Sequence, residues 1–177
     1  DYRLKKIHKN IITECIEKMP DTKNEEDIKK KAALIRKWCL IATTEAGSGH
    51  PTSCLSAADI TTVLFDKYFT YDLQNPKNAN NDRFILSKGH ASPLFYALYA
   101  AAGKVTEEEL LKYRTLESNL EGHPTPRFPY TEVATGSLGQ GLSVAVGEAL
   151  AMRLGSSDWR LATSETQDKF TNHYSLN

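Results

Sequence analysis

Three of the chain's five histidines directly follow glycine, at Gly49-His50, Gly89-His90 and Gly122-His123. Composition alone would place a glycine before a histidine about 0.3 times in a chain of this make-up. Glycine opens backbone conformations closed to other residues and lets the chain approach a neighbour or a ligand closely. Imidazole can donate, accept or take up charge near neutral pH, so the pairs suit recognition of phosphate, hydroxyl and carbonyl groups. A single pair reads equally well as a helix cap or a solvated surface histidine; three, each at a boundary between predicted elements, favour binding. A zinc site built from them is the weaker reading, because no two have close ligand spacing and neither HExxH nor CxxC accompanies them.

A fourth feature is the turn Thr135-Gly136-Ser137-Leu138-Gly139-Gln140-Gly141. Its glycines permit a tight turn that presents backbone amides at the start of a helix, a place where anions bind. It is not a P-loop, since no Gly-Lys-Ser/Thr follows, and its GxxGxG spacing departs from the GxGxxG dinucleotide fingerprint. Close packing of a helix against a strand is the alternative use of such glycines.

The periodicity predicts a helix from an N-cap at Asn24 to about Ala46-Gly47, with Leu34, Ile35, Trp38, Cys39, Ile41 and Ala42 at helical spacing. A second helix is predicted over 55–67, burying Leu55, Ile60, Val63 and Leu64. Residues 71–81 are rich in Asn, Asp and Pro and read as a loop. Phe84-Ile85-Leu86 reads as a short buried strand. A helix over 93–102 stops at Gly103, and Thr106 with Glu109 forms a capping box for the next. Residues 120–131 are irregular, and the glycine turn leads into a helix whose apolar face is Leu142, Ala145, Val146, Ala149 and Leu150. Helices alternating with a short strand point to an α/β layer architecture. Residues 1–23 read as a peripheral arm, helical over 5–18 and broken at Pro20; residues 161–177 read as a polar tail.

Equal numbers of basic and acidic residues, 22 of each, leave no global field for nucleic acid or an anionic membrane. The longest apolar run, 94–102, is far short of the roughly 20 residues of a membrane-spanning helix. Cys15, Cys39 and Cys54 are odd in number and form no CxxC pair, which suits free thiols in a reducing, cytoplasmic compartment. Asp1 opens the chain with neither a methionine nor an apolar leader, so the chain reads as a fragment.

The motifs, taken in order, resemble those of transketolases. The segments are Gly47-Ser48-Gly49-His50-Pro51-Thr52-Ser53-Cys54, Asp82-Arg83-Phe84-Ile85-Leu86-Ser87-Lys88-Gly89-His90-Ala91, Gly122-His123-Pro124 and 134–142. The wording Pro-Thr-Ser-Cys is similar to the animal-type branch, and the resemblance spans about residues 30–160. It implies a thiamine-diphosphate-binding fold, the helix-rich first part of a parallel-sheet Rossmann-like domain, with residues 24–160 as a partial N-terminal diphosphate-binding domain. It implies that His50 contacts the sugar near the reacting carbonyl and that His123 orients a terminal hydroxyl. Lys88 and His90 match positions at the cofactor's diphosphate, Ser53 one near the thiazolium ring, and the backbone of Gly136, Ser137 and Leu138 the aminopyrimidine side. The implied cofactors are thiamine diphosphate and Mg2+ or Ca2+. The implied substrates are sugar phosphates of the pentose phosphate pathway, in a homodimer.

The chain departs from the family pattern after Trp159-Arg160, where a Gly-Asp-Gly and a downstream Asn would bind the metal. Asp168 and Asn172 are the nearest candidates and read as solvated tail residues, so no metal ligand is assigned. The pyrimidine-binding domain, whose glutamate activates the cofactor across the dimer, has no counterpart either. The expectation is therefore a chain that is inactive by itself, with a noncatalytic partner of the full-length enzyme or a dihydroxyacetone synthase-like enzyme as alternatives. A deoxyxylulose-phosphate synthase would lack the Leu86-to-His90 wording.

Overall fold

The computed structural model describes residues 22–155. The expected arm helix over 5–18, the tail and the Asp168–Asn172 pair lie outside the described residues.

The first helix, α1 (Thr22–Glu45), begins two residues before Asn24, which therefore lies inside the helix and does not cap it. Ile28, Ala32, Ile35, Cys39 and Ala42 recur every three or four residues and form its buried stripe. Leu34, predicted to share this face, is 38% exposed. Gly47, at φ 57°, ends the helix: its N–H bonds to the Thr44 carbonyl, and that of Ser48 to the Thr43 carbonyl. This is the double bond of a left-handed C-terminal cap.

The helix predicted over 55–67 is two helices, α2 (Pro51–Leu55) and α3 (Ala58–Lys67), separated at Ser56-Ala57. On α3 the core face is Ala58, Thr61 and Thr62, while Ile60, Val63 and Leu64 are exposed, Ile60 at 72%. The small side chains let α3 lie close to its neighbours, and the buried hydroxyls donate to carbonyls within the helix, Thr61 to Ala57 at 2.8 Å and Thr62 to Ala58.

At the centre stands α4 (Ser92–Ala101), apolar on every face and buried from Ser92 through Ala100. A helix apolar all round needs neighbours on all sides. They are α1, α2, α3 and the short α5 (Glu107–Leu111). Its aromatic side carries Phe95, Tyr96 and Tyr99 against Phe84, Phe128 and Tyr130, with Tyr99 and Tyr130 stacked at 4.4 Å between ring centres. Thr106 opens α5 with the predicted capping box, its hydroxyl accepting from the Glu109 N–H while the Glu109 carboxylate accepts from the Thr106 N–H.

Among the described residues there is no strand. Phe84-Ile85-Leu86 pairs with no strand among the described residues, and the Ser87 N–H closes a tight turn onto the Ile85 carbonyl. Phe84 and Leu86 pack on the core beneath α4. The last helix, α6 (Gln140–Gly155), follows the glycine turn. Its predicted apolar face is divided: Ala145 is half-buried, whereas Leu142, Val146 and Leu150 are 67%, 60% and 54% exposed.

Candidate functional site

The three Gly-His pairs reach one region by different routes. His50 is the residue preceding α2, Gly89-His90 forms a 3-10 turn (Gly89–Ala91) leading into α4, and Gly122-His123 lies in the irregular segment after α5. The imidazoles of His50 and His90 meet edge to face, 4.8 Å between centres. Ser53 Oγ on α2 is 2.9 Å from His90 Nε2. Lys88 Nζ donates to the Ser53 carbonyl at 3.2 Å and to Ser56 Oγ at 3.1 Å. An ammonium has three donors, so one remains for a ligand.

The glycine turn is locked onto this cluster. Thr135 is buried and its hydroxyl donates to the Leu86 carbonyl at 2.8 Å, while its N–H donates to the Pro124 carbonyl. A methyl group added at Gly89 would lie 2.8 Å from the Thr135 carbonyl, and one at Gly141 would lie 2.7 Å from Ser87 Cα. The turn and the Lys88-Gly89-His90 segment are thus in backbone contact, which only glycine allows. On the other side Gly136 faces the His123 ring, 3.7 Å from where its own Cβ would stand.

The glycines of the Gly-His pairs therefore approach protein, and the histidines beside them face outward. Gly49, at φ 135°, abuts Thr43; Gly89 abuts Thr135; Gly122 abuts the Arg114 guanidinium. His50 and His123 are exposed and His90 is half-buried. Gly136, Ser137, Leu138 and Gly139 are exposed as well, so the turn presents its backbone on the surface that carries the histidines. Burial holds the His90 imidazolium below the ordinary histidine range, helped by the positive fields of His50, Lys88 and His123. A cluster whose members discourage one another's charge is relieved by an anion.

Ser56, Thr135 and Ser92 were not legible as site residues. Ser56 lies three residues beyond Ser53, a helical spacing that could have paired them. Buried Ser92 donates to the Gly122 carbonyl at 2.8 Å and touches Tyr113 Oη, steadying the residue before His123, and no sequence motif marks it. Among the described residues no group of three His, Cys, Asp or Glu side chains could hold a metal ion. None of their helices is long and apolar enough to cross a membrane.

These contacts bring the three histidines, Ser53, Lys88 and the glycine turn together on one outward-facing surface of a helical fold. Residues 28–175 match the family described as transketolase, thiamine diphosphate binding domain, and the chain belongs to that family. The chain is 54% identical over 130 residues to transketolase of Pongo abelii, covering 73% of this chain and 21% of that protein. It is 53% identical over 118 residues to transketolase-like protein 2 of Bos taurus, covering 67% and 19%. Among solved structures it is similar to transketolase of Pichia stipitis in complex with sedoheptulose-7-phosphate, at 40% identity and TM-score 0.67, covering 70% of this chain and 18% of that one. The chain thus spans about a fifth of the length of the curated relatives it matches.

Proposed function

We propose that this chain supplies the diphosphate-facing and sugar-facing side chains of a transketolase-type site, in a protein that moves a two-carbon ketol unit from a ketose phosphate to an aldose phosphate. The observation that carries this reading is the convergence of Ser53, Lys88 and His90 with the glycine turn, closed by the Thr135–Leu86 hydrogen bond. Thiamine diphosphate, when bound, contributes the nucleophilic carbon and electron sink that ketol transfer needs.

The chain's own residues bind and orient. Lys88, with one donor to spare, and His90 would hold the diphosphate, the backbone of Gly136, Ser137 and Leu138 would hold the aminopyrimidine, and Ser53 would serve the thiazolium end. His50 takes the reacting carbonyl of the sugar and His123 a terminal hydroxyl, each able to hold or pass a proton near neutral pH. The relative solved with sedoheptulose-7-phosphate supports sugar phosphates as the substrate class. Among residues 22–155 no group of three His, Cys, Asp or Glu side chains could hold a metal ion, and no step is assigned to a metal.

The uncovered Leu142, Val146 and Leu150 on α6 support a larger protein in which a parallel sheet and a second subunit complete the domain. Free thiols at Cys39 and Cys54 suit a reducing, cytoplasmic setting.

NMR of the chain titrated with thiamine diphosphate and magnesium tests the reading. Weak binding is expected, saturating at about millimolar ligand, with shifts at the three histidine rings and at residues 136–138, and no sugar-phosphate turnover by the chain alone. Shifts confined to other residues would overturn the site. Submicromolar affinity would overturn the expectation that tight binding needs metal ligands from elsewhere.

A further inference from the structure

Two thiols meet inside the molecule where α1 crosses α2. Cys39 and Cys54 are both fully buried, in one cluster with Ile35, Ala58, Ala91, Leu94, Ala97 and Leu98. Both are free, they share this one buried cluster, and each is the neighbour that most strongly shifts the other's thiol. The ketol-transfer chemistry uses neither. Yet Cys54 adjoins Ser53, whose hydroxyl touches His90 and whose carbonyl accepts from Lys88.

We propose that Cys39 and Cys54 are a two-electron modification site, oxidised by hydrogen peroxide or an organic hydroperoxide to a disulfide that ties α1 to α2. In the first step the Cys54 thiolate attacks one peroxide oxygen. An S–O bond forms, the O–O bond breaks, and the departing hydroxide, or the alkoxide of an organic hydroperoxide, takes the proton that Cys54 released and leaves as water or alcohol. In the second step the Cys39 sulfur attacks the Cys54 sulfenic sulfur, forming the S–S bond and breaking S–O. The hydroxide released takes the Cys39 proton and leaves as water. Two thiols lose two electrons and the peroxide gains them.

The surroundings set the order of these steps. The neighbouring Cys39 thiol most favours the Cys54 thiolate, burial opposes it, and the Leu94 backbone and the Lys88 charge add to the favourable side. Cys39 is pushed up, first by the neighbouring Cys54 and then by burial. Access requires an opening of α2, a five-residue helix with no side-chain cap bond, so reaction is slower than at an exposed thiol.

The proposal does not rest on the ketol-transfer reading. It is tested by treating the purified chain with hydrogen peroxide, quenching, counting thiols with a maleimide after denaturation, and mapping peptides without reduction. Two of the three thiols should disappear together, with a mass lower by two hydrogens and one cross-link joining the Cys39 and Cys54 peptides, all reversed by dithiothreitol. Cys15→Ser should behave like the unaltered chain. Cys39→Ala should give a dimedone-trappable sulfenic acid at Cys54 and no internal disulfide; should that variant fail to fold, the peptide map of the unaltered chain decides. Cross-links through Cys15 or between chains, oxygen addition at one cysteine without loss of the second thiol, or intact thiols at a dose that consumes those of the urea-unfolded chain would each overturn it.

Discussion

The hydroxyl of Ser53 lies 2.9 Å from Nε2 of His90, joining α2 to the turn before α4 across 37 residues of sequence. The His90 ring is held there with His50 against its edge and Lys88 beside it. Because burial and these neighbours depress its pKa, His90 should titrate by NMR below an ordinary histidine. Lys88→Gln or His50→Gln should raise it, since each removes a positive neighbour. The sign for stability follows from linkage: as pH falls, the unfolded chain takes up this proton first, at about 6.5. Stability held above that value is therefore lost as pH falls through it, and urea midpoints measured across that range should show the trend, diminished in Lys88→Gln. A His90 that titrates at or above the ordinary value would refute the electrostatic account.

Gly89→Ala and Gly141→Ala should each cost about 1–3 kcal/mol, because the new methyl meets backbone at Thr135 and at Ser87. Gly147 provides the contrast. It lies within α6 with nothing within 4 Å of its missing Cβ, so Gly147→Ala should stabilise by about 0.5–1 kcal/mol. Urea denaturation of the three variants separates contact-driven glycines from a merely flexible one, and three equal effects would contradict the packing argument.

Ser92→Ala removes the buried donor to the Gly122 carbonyl and the partner of Tyr113 Oη. A loss of about 1–3 kcal/mol is expected, with a displaced His123 ring resonance. The His50 resonance, held by α2, should stay in place. In a catalytically complete form of the enzyme, His123→Ala should lower turnover more than it weakens cofactor binding, and unchanged sugar-phosphate kinetics would remove His123 from the substrate side.

The capping box offers a local test away from the site. Thr106→Ala should destabilise by about 1 kcal/mol, and Glu109→Ala by a comparable amount, because each group serves the other's backbone N–H. The two losses should be less than additive, as each substitution already breaks half of the reciprocal pair. Full additivity in a double-mutant cycle would show the two bonds to be independent.

What the sequence determined by itself was local and chemical. The Thr106–Glu109 cap, the glycine stops after α1 and α4 and the apolar run of α4 were legible, because each depends on residue type at short spacing. Ser53 and Lys88, and the cofactor roles of His90 and 136–138, were singled out only by resemblance to a family. Tertiary structure decided what depends on a neighbour. It chose Ala58, Thr61 and Thr62 over Ile60, Val63 and Leu64 as the buried face of α3, since close helix approach favours small side chains with satisfied hydroxyls. It left Phe84-Ile85-Leu86 unpaired, because an apolar triplet becomes a strand only beside another. The glycines of Gly89 and Gly141 read equally as ligand-facing or packing residues until Thr135 and Ser87 were found against them. Sequence supplied the polar groups and the glycines; contact between segments dozens of residues apart turned them into one surface.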